Sequence, residues 1–394
     1  MPHTPPSTQV PRHALRERGG QGAKVTNVEL FFDLVYVFAV TQLSHLLLAH
    51  LTPLGAAQTL LLWFAVWLGW QYTCWVTNWF DPETLSIRVL LFAIMGVGLV
   101  MAVSLPQAFG ERGLVFAACY VLIQVGRTLW VLLRHLGGSH ALSANFRRIL
   151  GWLVISGAFW IAGGLAEDGT VRLALWAAAV ACEYVSPMVG FQLPGLGRSR
   201  TEDWTIDGGH LIERCQLFVI IALGESILVT GATFGEAHWE WPTAIAFAVA
   251  FLASLAMWWL YFDLGSRQGA HLIEHSDDPG RLGAYFHYVH VLIVAGVIVA
   301  AVGAELMIAH PDGPAKPTYA AVLVGGPALY LLGNALYKRA VYGRLPLSHL
   351  TGLAGLVVLG VAAGVTDLLM VGGLSTLLLG AVAGWESLSR RGAR

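Results

Sequence analysis

A carboxyl set among small residues inside a long apolar run is the feature of this sequence most suited to chemistry. It is Glu225, in Ile221-Ala-Leu-Gly-Glu-Ser-Ile-Leu-Val229. Gly224 and Ser226 leave room beside it for a cavity or a ligand, and an acid there can bind and release a proton. The structural alternative is a protonated glutamic acid hydrogen-bonded to a neighbouring helix. Upstream, His210, Glu213 and Arg214 form one helical turn suited to a local ion pair or a proton-linked site. At 100° per residue, His210, Arg214 and Glu225 fall within about 60° of one another, yet Arg214 and Glu225 are about 16 Å apart along the axis. They line one stripe without touching. Glu29 and Asp33 are four residues apart and share a helix face with Tyr36 one turn on. Glu29 is equally well explained by the favourable field at a helix start. Asp33, between Phe32 and Leu34, reads as a paired or functional acid.

Further polar residues fall in the same kind of setting. Arg127 can counter a carboxylate, hold an anionic substrate or extend its head group toward the membrane surface. Glu183 is a candidate for the same interior, and Asp81, Asp263 and Gln42 complete the supporting polar set. His287 and His290 are three residues apart and face one way, which suits a proton relay or simple packing. With Glu213 or Asp263 they would offer metal ligands, but a lone HxxH is a weak signal. No metal or other cofactor is expected, at His287 and His290 included.

These residues have to be positioned by membrane helices. Of 394 residues, 56% are hydrophobic and only 12% charged, against about 25% charged in a soluble domain. So few charges cannot solvate a globule of this size. The 23 basic and 24 acidic residues nearly cancel, and no basic stretch is dense enough to neutralise many phosphates, which excludes nucleic acid as a partner. Cys74, Cys119, Cys182 and Cys215 each lie in an apolar stretch without a CxxC pair, so they read as packing residues. Trp63, Trp67 and Trp70, and Trp258-Trp259, read as packing and interfacial belt residues.

Runs long enough to cross about 30 Å of hydrocarbon number twelve, near 28–50, 54–79, 86–108, 111–134, 147–166, 170–192, 209–232, 241–264, 282–309, 318–341, 347–365 and 367–387. The fold class is therefore an all-α polytopic integral membrane protein. Residues 1–27 read as a disordered cytoplasmic tail and 388–394 as a second cytoplasmic tail. If the amino terminus is cytoplasmic, 18 of the 23 basic residues fall on that side and Arg112, Arg172 and Lys316 opposite. This asymmetry predicts a bacterial cytoplasmic membrane protein with both termini inside. Three matches between the halves suggest duplication: Glu29 with Glu213, Thr41 with Gly224, and Trp79-Phe-Asp81 with Tyr261-Phe-Asp263, at offsets of 184, 183 and 182 residues. They predict two parallel six-helix repeats, 28–192 and 209–387, joined by a cytoplasmic linker over 193–208. Gln42 is then the uncharged counterpart of Glu225. GxxxG spacings at Gly360/Gly364 and Gly380/Gly384 suit close helix packing or a homodimer interface.

Glu29-Leu-Phe-Phe-Asp33-Leu-Val-Tyr-Val-Phe-Ala-Val-Thr-Gln resembles the opening motif of the bacterial low temperature requirement A family. His210-Leu-Ile-Glu213-Arg214 with Ile221-Ala-Leu-Gly224-Glu225-Ser226 resembles its second motif, and Tyr261-Phe262-Asp263 after paired tryptophans fits as well. The resemblance covers about residues 24–389. It implies a multi-helix bacterial membrane protein named for growth at low temperature, and no particular reaction. Twelve spans, the repeat and the intramembrane acids favour a proton-coupled secondary transporter of a small solute, with membrane lipid as surroundings. Glu225 would be its proton-linked acid, and Glu29, Asp33, Glu213, Arg214, Asp81 and Asp263 its cytoplasmic-side gating or substrate contacts. The alternatives are a membrane-embedded enzyme acting on a lipid or isoprenoid, and an ion channel, although no filter-like ring of acids is present.

Overall fold

The computed structural model describes residues 15–16, 24–136, 141–200, 204, 206–263, 272–273 and 276–391. Most of the tail expected at 1–27 lies outside the described residues, as do Arg12, Arg18, Arg267 and residues 392–394. Among the described residues, twelve long helices follow one another: α1 Asn27–Ala49, α2 Pro53–Trp79, α3 Leu85–Ser104, α4 Gly113–Val131, α5 Ala141–Leu165, α6 Gly169–Met188, α7 Gly208–Glu236, α8 Trp241–Phe262, α9 Pro279–Ala309, α10 Pro317–Tyr342, α11 Leu347–Ala362 and α12 Leu368–Arg391. Strand pairing among the described residues is limited to isolated bridges. Eleven of the twelve are long and apolar enough to span a membrane. The exception is α6, long enough at 20 residues but carrying Arg172 and Glu183. Both are buried, so the chain's own interior takes charges that lipid would not.

Local chemistry sets the helix ends. Asp168 caps α6 by accepting from Thr170 N at 2.7 Å and Val171 N at 3.0 Å, and the amides of Val171 and Thr170 hold its carboxyl below the ordinary range. Asp278 accepts from Arg281 N at 2.9 Å, and Pro279 at the first helical position needs no partner for a missing N–H. α6 stops short of the expected residue 192 because Pro187 lies in its last turn, after which Gly190 and Phe191 take φ of 65° and 51°.

The helices group into two compact units, residues 1–36 with 68–207, and residues 37–67 with 208–394. In the first, Phe116, Tyr120, Trp160 and Trp176 form one aromatic cluster, Trp160 meeting Trp176 at 5.3 Å between ring centres. Arg172 fastens the ends of the helices around it. Its Nε donates to Gly163 O at 3.1 Å, Nη1 to Ala108 O at 3.1 Å and Gly110 O at 2.7 Å, and Nη2 to Ala166 O at 2.8 Å. Those carbonyls lie at helix ends or in turns, where the helical ladder runs out of donors. Arg148 does the same for the segment after α6, donating from Nε to Leu196 O at 2.7 Å.

In the second unit α9 and α10 are in backbone contact. A Cβ on Gly326 would lie 2.4 Å from Ala300 N, and one on Gly296 2.5 Å from Tyr330 N. Lipid tails are as apolar as leucine, so helices associate through close packing, and only glycine permits this approach. The close packing expected around Gly360/Gly364 and Gly380/Gly384 is thus found elsewhere: Gly364, Gly380 and Gly384 have no neighbour within 4 Å of an added Cβ, and Gly360 only Val324 at 3.7 Å. Trp63, Trp67 and Trp70 are buried core residues rather than a belt, whereas Trp258 and Trp259 are exposed.

Gly326→Val should prevent α9 and α10 from docking and abolish the folded monomer in size-exclusion chromatography, while Gly384→Val should leave it unchanged. Arg172→Ala should lower stability by about 3 kcal/mol or more, since several buried carbonyls lose their donor. Thermal unfolding in detergent reads this out, and Arg172→Lys, lacking the planar fork, should rescue little of it.

Candidate functional site

Each unit carries a polar interior. In the first, α4 and α6 supply its centre. Glu183, 1% exposed, accepts from Tyr120 Oη in a short hydrogen bond, from Trp160 Nε1 at 2.9 Å and from Gln124 Nε2 at 3.2 Å. Gln124 passes the contact on, its Oε1 accepting from Arg127 Nη2 at 2.6 Å. Arg127 Nη1 donates to Thr73 Oγ1 at 3.0 Å and Gly69 O at 3.3 Å, and the guanidinium lies over the Tyr72 ring. Tyr120, Gln124 and Arg127 recur at helical spacing on the buried face of α4. Arg127 and Glu183, candidates for a common interior on sequence grounds, therefore meet through one amide, and Arg127 is fully enclosed rather than extended toward the surface.

Asp33 lies in the same unit, fully buried, and accepts from Trp70 Nε1 at 2.6 Å. Glu29 is bound at the start of α1 by Arg16 Nη2 at 2.9 Å, Thr26 N at 2.9 Å and Thr26 Oγ1 at 3.0 Å. Those bonds are the ones a helix N-terminus calls for, so Glu29 ties down the first turn. Asp81 shapes the turn before α3, accepting from Glu83 N at 2.9 Å.

In the second unit Glu225 is half-buried on α7 and accepts from Thr41 Oγ1 on α1 at 2.7 Å. The same hydroxyl lies 3.2 Å from Val37 O. Ser226 is buried, and an added Cβ on Gly224 would meet nothing within 4 Å, so the helix face at Gly224 is open. Gln42, the counterpart of Glu225 expected from the matches between the halves, is half-buried on the position next to Thr41 in α1. His210 and Arg214 are fully enclosed and Glu213 half-buried. His287, His210 and Arg214 are within electrostatic reach of one another. His287 Nδ1 faces Gly283 O at 3.0 Å. His290 has both nitrogens engaged, Nδ1 with Phe286 O at 2.6 Å and Nε2 with Tyr261 Oη at 2.6 Å. This arrangement fixes the tautomer with the proton on Nδ1, the carbonyl having none to give. Asp263 is exposed and accepts from Ser387 Oγ at 3.2 Å, which also takes Trp259 Nε1 at 2.9 Å.

Two groups in this unit escape a reading of the sequence. Glu305 on α9 is half-buried, with His45 on α1 and Glu236 on α7 in its electrostatic neighbourhood. His45 is one turn beyond Thr41. The second group joins the last three helices: Lys338 pairs with Glu386 Oε2, His349 Nε2 is 3.3 Å from Lys338 Nζ, and His349 Nδ1 is 3.1 Å from Glu386 Oε1. Ser348 Oγ donates to Glu386 Oε1 at 3.1 Å. All three charge-bearing residues sit near helix ends, where sequence alone suggests solvated charges; Lys338 is 2% exposed. A basic residue, a histidine and an acid near the ends of three successive helices are the available signal.

Comparison with known proteins places these residues in a family. The family model for bacterial low temperature requirement A protein matches residues 24–384. An uncharacterized protein of Rhizobium meliloti is 40% identical over 384 residues, covering 97% of this chain and 93% of that protein.

Lys338→Met should destabilise the protein by about 3–5 kcal/mol, the range for stranding one member of a buried pair. Adding Glu386→Leu should recover a large part of the loss. Thermal unfolding of the two single variants and the double variant measures the coupling; additive losses would show that the pair is not linked.

Proposed function

Given that the chain belongs to the bacterial low temperature requirement A family and is a multi-pass membrane protein, we propose that it is a proton-coupled secondary transporter of a small solute in the bacterial cytoplasmic membrane. Both termini lie on the cytoplasmic side, as the distribution of basic residues argues, and two six-helix repeats form the scaffold. Glu225 carries the coupled proton.

The observation that supports this reading is the hydroxyl shared between Glu225 Oε1 at 2.7 Å and Val37 O at 3.2 Å. A hydroxyl has one proton and two lone pairs. When Glu225 is ionised, the Thr41 proton points to the carboxylate. When Glu225 is protonated, its own O–H donates to Thr41 Oγ1, and the Thr41 proton turns to Val37 O. Neither state leaves a buried donor without an acceptor, so proton uptake and release need only a hydroxyl rotation. Glu225 is half-buried rather than enclosed, which supports access by water or a solute. Glu305, with His45 and Glu236, continues the titratable line along the same helices toward the carboxyl end of α7.

The test is solid-supported-membrane electrophysiology on proteoliposomes challenged with a panel of small polar solutes under a proton gradient. Wild-type protein should give a solute-evoked, pH-dependent current with at least one of them, and folded Glu225→Gln should give none. Thr41→Val should retain the current with a shifted pH profile, because the ionised acid has lost its donor. A current unchanged in Glu225→Gln would remove this residue from the mechanism.

A further inference from the structure

Arg127 is 1% exposed, yet no carboxylate among the described residues pairs with it directly. Its nearest acid, Glu183, is reached only through the Gln124 amide. A guanidinium stays charged in a protein, and a buried charge without a direct counter-ion is strongly unfavourable. Two donors at this position also lack an acceptor. Arg127 Nε and Tyr36 Oη are both buried and without a hydrogen-bond partner, and Tyr36 is itself 1% exposed. Both side chains converge on Gly69: Arg127 Nη1 donates to its carbonyl at 3.3 Å, and Tyr36 Oη would be 3.0 Å from a Cβ placed on it. Two unused donors and a positive charge around one glycine call for a ligand that only accepts hydrogen bonds and carries negative charge.

We propose that the first unit binds a small monovalent anion at Arg127 and Tyr36, and that the anion enters together with a proton on Glu183. The Gln124 amide is oriented so that its oxygen takes Arg127 and its nitrogen gives to Glu183. With Glu183 ionised, this network is neutral, and an anion would leave it with a net negative charge in a medium of low dielectric. With Glu183 protonated, the network carries one positive charge, which the anion neutralises. The proton moves from solvent to a Glu183 carboxylate oxygen, and Tyr120, Trp160 and Gln124 remain able to donate to the other oxygen or, for Tyr120, to accept. Other titratable groups facing the pair are Tyr36 on α1, Tyr72 and Cys74 on α2, Tyr120 on α4, and Cys182 and Tyr184 on α6. These are phenols and thiols, ordinarily neutral at pH 7. Asp33, one turn before Tyr36, is engaged by Trp70. Glu183 is therefore the group whose protonation balances the anion. The site is independent of the role assigned to Glu225.

Thermal shift of the full-length detergent-purified protein tests this, using sodium chloride, sodium nitrate and sodium acetate at constant ionic strength, at pH 5.5–8.5 (about three units around neutrality). At least one anion should stabilise the wild-type protein, with apparent affinity falling by up to about tenfold per pH unit once Glu183 is ionised. Glu183→Gln, a neutral isostere of the protonated acid, should bind the same anion about tenfold or more tightly at the high end of that range, with no pH dependence. Tyr36→Phe, which deletes only the hydroxyl, should weaken binding severalfold. The proposal is overturned by the absence of any anion-dependent shift in wild-type protein. It is equally overturned if the shift is unaltered in Tyr36→Phe, or if Glu183→Gln binds no more tightly than wild type.

Discussion

In an apolar medium every polar group that leaves water needs a partner supplied by the chain itself, and this constraint explains most of what is built here. The backbone meets it with helices. Where the helices end, side chains take over: Arg172 serves four carbonyls of the first unit, Asp168 serves two amides, and Glu29 answers Thr26 and Arg16. Two buried indole N–H groups follow the same rule, Trp63 reaching Val291 O and Trp70 reaching Asp33. A tryptophan that looks on paper like a membrane-surface residue can then sit fully buried, because its one donor has an internal acceptor.

The same constraint divides what could be read in the sequence from what could not. Helix positions and count were legible, because a span of hydrocarbon demands a length and an apolarity that no other element satisfies. The sixth helix reads less clearly for a physical reason: Arg172 and Glu183 lower its apolarity, and only their burial against other helices makes the segment tolerable. The pairing of Glu225 was not legible, since the partner is Thr41, a residue with no charge, 184 positions away. Nor was the cluster of Lys338, His349 and Glu386. Charges near helix ends look solvated in sequence, and only the packing of α10, α11 and α12 encloses them. GxxxG spacing pointed to the last two helices, whereas backbone contact occurs between α9 and α10, where Gly296, Gly326 and Gly333 are not spaced as GxxxG. Small residues permit close approach but do not specify which helix takes it up.

The polar residues of the two units differ in how completely they are satisfied. Around Glu183 three donors converge on one carboxyl, and removing any of them leaves the others in place. Glu386 is held comparably, by Lys338, His349 and Ser348. Such sites fix geometry, because a carboxylate held by several donors has little to gain from moving. Glu225 is held in another way, by one hydroxyl that is itself shared with a backbone carbonyl, next to a glycine whose own face is open.

That difference bears on the two proton-linked roles proposed for these acids. Under the proposed anion site, the proton on Glu183 is tied to a second charge arriving in the same network. Arg127 is the group that makes such compensation feasible, being positive, enclosed and linked to Glu183 through a single amide. Glu225 has no such tie to a fixed cation through its Thr41 bond, and its donor serves the ionised and the protonated acid alike. Its proposed role as proton carrier therefore needs no second ligand to balance charge in its own network. On the readings proposed for them, the two acids answer to different stimuli, and the distinction rests on the number and kind of donors each faces.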